Sequence, residues 1–229
     1  MEVRGSSMIS ITIPFGTGAP SGGGTFSVIA TTYAVGISTG VTTSGINTTG
    51  SNLIVVVQSC YTGASTTPTL SDSNSNSWTL VRYDITGSSP QYQGTAIFYC
   101  YSPVVGSGHT FTANTYSSIG VVALSGAISS PLDQQNGLGS AGGATIIQPG
   151  SITPSINNEF VIFVLENYID GSVPSTPTGY TLLGASAYSP GFYCFGMWYQ
   201  IQTTATATNP SSNVSIEPFQ PSSIASFKS

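Results

Sequence analysis

Short apolar runs, rich in Val, Ile, Tyr, Phe and Thr, alternate along this chain with clusters of Gly, Pro, Ser and Asn. Nowhere do apolar residues recur at i, i+3, i+4 and i+7, the spacing that gives a helix one buried face. β-Branched and aromatic side chains fit a pleated surface, and the intervening residues have turn chemistry, so the pattern predicts strands. They are expected near 25–31, 53–60, 78–84, 93–101, 109–115, 119–125, 144–148, 159–166, 180–187, 192–201, 212–217 and 222–228. Pro14, Pro20, Pro68, Pro90, Pro103, Pro131, Pro149 and Pro154 fall between these runs, as a residue without an N–H must in a ladder. Many short strands with regular turns point to an all-β chain, a β-sandwich of jelly-roll-like character.

The two parts of the chain echo each other. Ser51–Val57 answers Asn158–Val164, Trp78–Val81 answers Tyr180–Leu183, and Thr95–Tyr101 answers Gly196–Ile201. Ser117–Leu124 is matched to Ser222–Lys228, so half-repeats are expected over about 50–125 and 144–229. The segment 125–143 has no long charged or Pro-rich spacer, which favours one β-sandwich domain over 25–229. Residues 1–24 stand apart. Ile9, Ile11 and Ile13 alternate with Ser10 and Thr12, a strand pattern, and a Gly-rich tether follows to Gly24. Such a strand can join its own sheet or a neighbouring subunit's by strand exchange.

Charge then narrows the classes of function. Only 3 residues are Lys or Arg and 8 are Asp or Glu, so 5% of the chain is charged, with a net charge of −5. An ordinary soluble domain carries about 25%. Arg4, Arg82 and Lys228 cannot neutralise a run of phosphates, so no nucleic-acid partner is expected. Disorder does not fit a chain that is 39% hydrophobic. The longest apolar run, Phe160–Leu165, is far shorter than the roughly 20 residues of a membrane-spanning helix, so no membrane insertion is expected. The first residues, MEVRGSSMISITIPFGTGAP, contain no apolar core of a Sec leader, and export by that route is not expected. So few ionisable groups also imply stability that depends weakly on pH, and resistance to trypsin.

Candidate chemistry is sparse. Cys60, Cys100 and Cys194 sit inside apolar runs and read as small buried hydrophobes, with one disulfide plus a free thiol as the alternative. His109, the only histidine, lies in Gly106-Ser-Gly-His-Thr110, a hairpin turn where exposure is easy and no carboxylate is nearby in sequence, and it is expected to be a satisfied turn residue. No G-x-S-x-G elbow and no C-x-x-C pair occurs, so neither a catalytic set, a metal site nor a cofactor is expected. Glu159, Glu166 and Asp170 cluster, but Glu159 and Glu166 flank one strand and should point to opposite faces, which does not suit a glycosidase pair. Asp72-Ser-Asn-Ser-Asn76 opens like a calcium loop but lacks Gly at the sixth position and an acid at the twelfth. It is expected to be a turn in which Asx side chains bind backbone amides. Tyr92, Tyr116, Tyr168 and Tyr188, in or beside turns, are the candidate glycan contacts. Asn47 and Asn213 head acceptor sequons for glycosylation.

The order of signals is specific enough to suggest relatives. It runs from an apolar strand after Asn, through Asp72-Ser-x-x-Asn-x-Trp78 and Ser130-Pro-Leu-Asp-Gln134, to a second Asn-Glu-apolar strand, Gly179-Tyr-Thr-Leu182 and Ile224-Ala-Ser-Phe-Lys228. This resembles a broad class of duplicated β-sandwich modules of secreted bacterial and archaeal surface proteins and of phage virion proteins. The resemblance implies a non-catalytic structural protein on a virion surface: a capsid decoration, tail or fibre subunit. The implied partners are copies of itself or other virion or surface proteins. Two alternatives remain open: an extracellular, cell-surface filament subunit or adhesin with Ile9, Ile11 and Ile13 completing a neighbour's sheet, and a carbohydrate-binding module recognising cell-surface glycans.

Overall fold

The computed structural model describes residues 24–36, 40–62, 64–114, 118–139, 142–167, 172–187 and 194–229. The strand expected at Ile9, Ile11 and Ile13 falls outside them, as do Tyr116, Tyr168, Asp170 and Tyr188. No helix forms among the described residues. In chain order the strands are β1 (Ser27–Val35), β2 (Val41–Thr42), β3 (Leu53–Thr62), β4 (Leu70–Asp72), β5 (Thr79–Ser88), β6 (Gln91–Tyr101), β7 (Phe111–Ala113) and β8 (Ser118–Ser125). Then follow β9 (Leu132–Leu138), β10 (Ile146–Ile147), β11 (Glu159–Asn167), β12 (Thr181–Ala187), β13 (Cys194–Gln202), β14 (Ser212–Asn213) and β15 (Ser222–Phe227).

Two five-stranded antiparallel sheets form the β-sandwich, ordered β1-β8-β3-β6-β5 and β9-β15-β11-β13-β12. The first is drawn from residues 27–125 and the second from 132–227. Strand for strand the orders correspond. Leu53 sits between Tyr101 and Leu124 just as Phe160 sits between Ile201 and Phe227. The bulges correspond as well. The β5–β6 ladder shifts after Leu80, which faces Phe98, and the β12–β13 ladder shifts after Leu182, which faces Trp198. The edge pairings β1–β8 and β9–β15 shift at matching ends, next to Val28 and next to Phe227. The correspondence is therefore wider than 50–125 and 144–229, since β1 and β9 take equivalent edges. Register also moves one expected match: Ile119 faces Gln58 and Ser222 faces Leu165, so Ile119 is equivalent to Ser222, two residues from Ile224. A two-residue slip keeps every side chain on its face, so the apolar pattern alone could not detect it.

Side-chain alternation explains why the central strands read as unbroken apolar runs. Leu53, Val55 and Val57 pack with Phe160, Ile162 and Val164 in the core shared by the sheets. Ile54 and Val56 point the other way, onto Phe111 and Ala113 of a small outer sheet, β2-β7-β4. In the second half Phe163 and Leu165 pack outward on Ile147 and Trp198, beneath the β10–β14 pair. A strand buried on both faces loses polar alternation, and each large apolar side chain buried so completely contributes roughly 1.5–3 kcal/mol.

Three strands escaped the sequence pattern. β2 and β4 are too short to show a period, and β9 is the polar segment LDQQNGL, tolerated because it is an edge. The expected strand at 109–115 shrinks to β7, and those at 144–148 and 212–217 to two residues each. All three cysteines are buried and none forms a disulfide.

Candidate functional site

The most connected polar group lies where β4 and β7 pair. Asp72 faces Phe111 across that ladder, which brings it to His109 although the two are 37 residues apart. His109 has partners on both ring nitrogens, as a satisfied residue should, but it does not sit in the open that its turn allowed. It is fully buried, its ring stacked on Phe111 at a centroid distance of 4.2 Å. Its Nε2 lies 2.9 Å from Asp72 Oδ1 and its Nδ1 3.0 Å from Thr48 Oγ1. Burial alone would raise the Asp72 pKa. Hydrogen bonds from His109, Trp78 and the Asn74 amide outweigh it and hold the carboxyl below its ordinary value. An ionised Asp72 only accepts, so His109 Nε2 carries a proton.

The expected Asx turn is also present. The amides of Asn74 and Asn76 donate to Asp72 at 2.8 and 3.1 Å, and the Trp78 indole donates at 2.7 Å. Asn74 and Asn76 side chains reach on to the Val104 carbonyl. Thr48–His109–Asp72 thus has the connectivity of a nucleophile, base and orienting acid. Yet all three side chains are shielded, and Thr48 Oγ1 is also held by the Gly106 amide at 3.1 Å. That hydroxyl is closed off from solvent, and the set works as a buried brace between the Thr48 segment after β2, the end of β4, the start of β7 and the Val104 loop.

The other carboxylates are committed too. Glu159 and Glu166 take opposite faces of β11 as expected, but both are fully buried, not left at the solvent as strand-end acids usually are. Glu159 meets Asp133 of β9. Both accept from the Ser155 amide, at 2.9 and 2.7 Å, and Lys228 lies 3.3 Å from Asp133. Burial and the neighbouring Asp133 push Glu159 up. Asp133, which burial alone would raise, is carried down by hydrogen bonds from Glu159, Ser155 and Lys228. Glu166 faces the shared core with neither oxygen hydrogen-bonded, and burial pushes it well up despite the nearby Ser59 hydroxyl. Arg82 clamps Asp84 at 2.5 and 2.7 Å and spans to Gln135 and the Gly137 carbonyl of β9. Ser223 and Thr95 continue that network between the sheets.

Of the candidate glycan tyrosines, only Tyr92 is among the described residues, half-buried in β6 opposite Thr62. Asn47 and Asn213 are exposed, with Asn47 Oδ1 accepting from the Thr49 amide. Among the described residues no group of three or more His, Cys, Asp or Glu could hold a metal ion.

A feature the sequence did not single out is an open groove of about 400 Å³ on the outer face of the second sheet. Tyr180, Gln200, Gln202, Thr206, Thr208 and Asn209 line it, with Pro177 and Pro210 at its walls. The signal lay in Trp198-Tyr-Gln-Ile-Gln202, where alternation puts two glutamines on one face beside Trp198. The chain matches no protein-family model, no curated protein and no solved structure.

Proposed function

We propose that this chain is a non-catalytic structural protein exposed on a virion surface, assembling with copies of itself. The observation that carries the reading is the edge strand β1. It runs nine residues, Ser27–Val35, without a charge or a proline, and Ile29, Tyr33 and Val35 are 39%, 50% and 37% exposed. Proteins that remain single usually guard such an edge with lysines, prolines or a covering loop. The opposite side of the sandwich carries the charged Arg82 clamp between β5 and β9, whereas β1 meets β12 through neutral contacts such as Tyr33 over Gly184. The burial of the Thr48–His109–Asp72 set supports the non-catalytic part of the reading. The matched sheet orders and bulges support two copies of one module within the chain.

Sedimentation velocity of the full chain should show self-association that Thr31→Lys, an exposed change on β1, abolishes without unfolding the protein. Mass spectrometry of purified native particles should find the chain among their proteins. A strictly monomeric protein that is missing from the particles would overturn the proposal.

A further inference from the structure

The groove on the second sheet sits where the first sheet holds its buried brace. The equivalence follows from three pairings. The isolated bridge Ile46–His109 corresponds to Ile152–Thr208, Thr79 and Thr181 face Tyr99 and Tyr199, and the β2–β7 pair corresponds to β10–β14. Thr208 therefore stands where His109 stands, and Tyr180 where Trp78 stands. Ser175, bonded through its amide to the Asn213 carbonyl, takes the place of Thr69, whose carbonyl accepts from the Asn114 amide, so Thr176 takes the place of Leu70 opposite Ala113. From Leu70 to Trp78 the chain takes eight steps, and from Thr176 to Tyr180 it takes four. The four missing residues are the bulk of the Asx loop that fills the first half. Its replacement is a tight turn, Pro177-Thr-Gly-Tyr180, closed by Tyr180 N–H to the Pro177 carbonyl, with Gly179 at φ +83° as such a turn demands. The space left over is the groove.

We propose that this groove binds a neutral carbohydrate chain. None of the residues lining it carries a charge, so nothing in it compensates an anion or a cation. It is open and walled mainly by amide and hydroxyl groups, unlike the largely apolar pockets that suit drug-like ligands. Gln200 and Gln202 project from the rigid strand β13. Gln200 Nε2 donates to Gln202 Oε1 at 3.3 Å, and Gln202 Nε2 is fixed by the Thr204 and Thr206 carbonyls at 3.0 and 2.6 Å. Carboxamides held in this way present both donors and acceptors to sugar hydroxyls at little entropic cost. Tyr180, whose phenol burial pushes up to about 12, remains a neutral hydroxyl beside Thr208 Oγ1 at 3.3 Å. Thr178, Thr206, Asn209 and Ser211 form an exposed rim along which a chain can enter. The site does not depend on how the subunit assembles.

The test is a ¹H–¹⁵N titration of the full chain with linear neutral oligosaccharides: cellohexaose, maltohexaose, laminarihexaose, chitohexaose, mannohexaose and xylohexaose. Oligogalacturonate and an uncharged Ser/Thr-rich peptide serve as contrasts. At least one neutral sugar should shift the amides of Thr178, Gln200, Gln202, Thr206 and Asn209 saturably. Thr206→Trp, which fills the groove from its exposed rim, should weaken that binding by about tenfold or more. Gln202→Ala should weaken it with a spectrum otherwise unchanged. The proposal is overturned if no neutral sugar shifts these amides, if only the anionic sugar or the peptide does, if shifts centre on Tyr92 instead, or if Thr206→Trp binds as tightly as the parent.

Discussion

The two sheets share strand order, register and bulges, yet they cover their outer faces differently. In the first half Asp72 receives bonds from His109, Trp78, Asn74 and Asn76, and the loop folds down over them. In the second half only neutral contacts of Tyr180, to Thr208 at 3.3 Å and to Gln200, stand among the described residues in the same place, beside open space. A cover held by a buried ionised group cannot be trimmed piece by piece, because each donor left behind would be unsatisfied. A cover held by apolar packing and neutral hydroxyls can lose residues and leave a groove. The same backbone plan thus supports one closed face and one receptive face.

The largest expected effect tests that contrast at its centre. Asp72→Ala leaves His109 buried without its acceptor and orphans the Trp78 indole and two amides, so it should cost about 3–5 kcal/mol in chemical denaturation. Thr208→Val, at the place equivalent to His109, should cost less than about 1 kcal/mol, since only one neutral bond is lost. Similar losses for the two variants would mean that the halves are braced alike.

A second contrast concerns packing. Phe98 and Trp198 are equivalent, and so are their neighbours Ala96 and Gly196, by their places opposite Gln58 and Leu165. The larger ring has the smaller neighbour, because a Cβ on Gly196 would fall 1.8 Å from the Trp198 ring. Gly196→Ala should therefore destabilise by roughly 1–3 kcal/mol through displacement of a fully buried indole. Ala96→Gly should cost about 1 kcal/mol, from strand entropy and a lost methyl. If Gly196→Ala proves neutral in thermal unfolding, the pairing of ring size with neighbour size is not what fixes this residue.

Much of this was legible in the chain. Runs such as LIVVV and FVIFVL read as strands and the echo pointed to related halves, but that each half forms one of two facing sheets comes from the strand pairing. What could not be read was long-range pairing. His109 seemed alone because Asp72 is distant in sequence, and only the β4–β7 ladder, three residues long, joins them. The groove was invisible for a similar reason. It exists through four residues that are absent, and an absence shows only when the equivalent loop is superposed on it.

The smallest effect depends on pH and bears on the core that the halves share. Ser59 and Glu166 are equivalent positions, two beyond Val57 and Val164 on the same face. Ser59 satisfies itself on Ser118 at 2.5 Å, whereas Glu166 has burial and only the nearby Ser59 hydroxyl. Sparse charge implied a flat response to pH, but a carboxyl raised by burial makes one. Below the ordinary glutamate range both folded and unfolded forms are protonated, and Glu166 contributes no slope. As pH rises past that range the unfolded chain ionises freely while the folded chain resists, so stability falls until the folded group itself ionises. The parent should therefore be less stable at about pH 8 than at about pH 4, with Glu159 adding in the same direction. Glu166→Gln should match the parent at the lower pH and exceed it by about 1–3 kcal/mol at the higher. Ser59→Ala, which removes the hydroxyl that favours the charged form, should deepen the alkaline loss. Urea titrations of the three proteins across that interval decide it, and parallel curves for Glu166→Gln and the parent would place the pH response elsewhere.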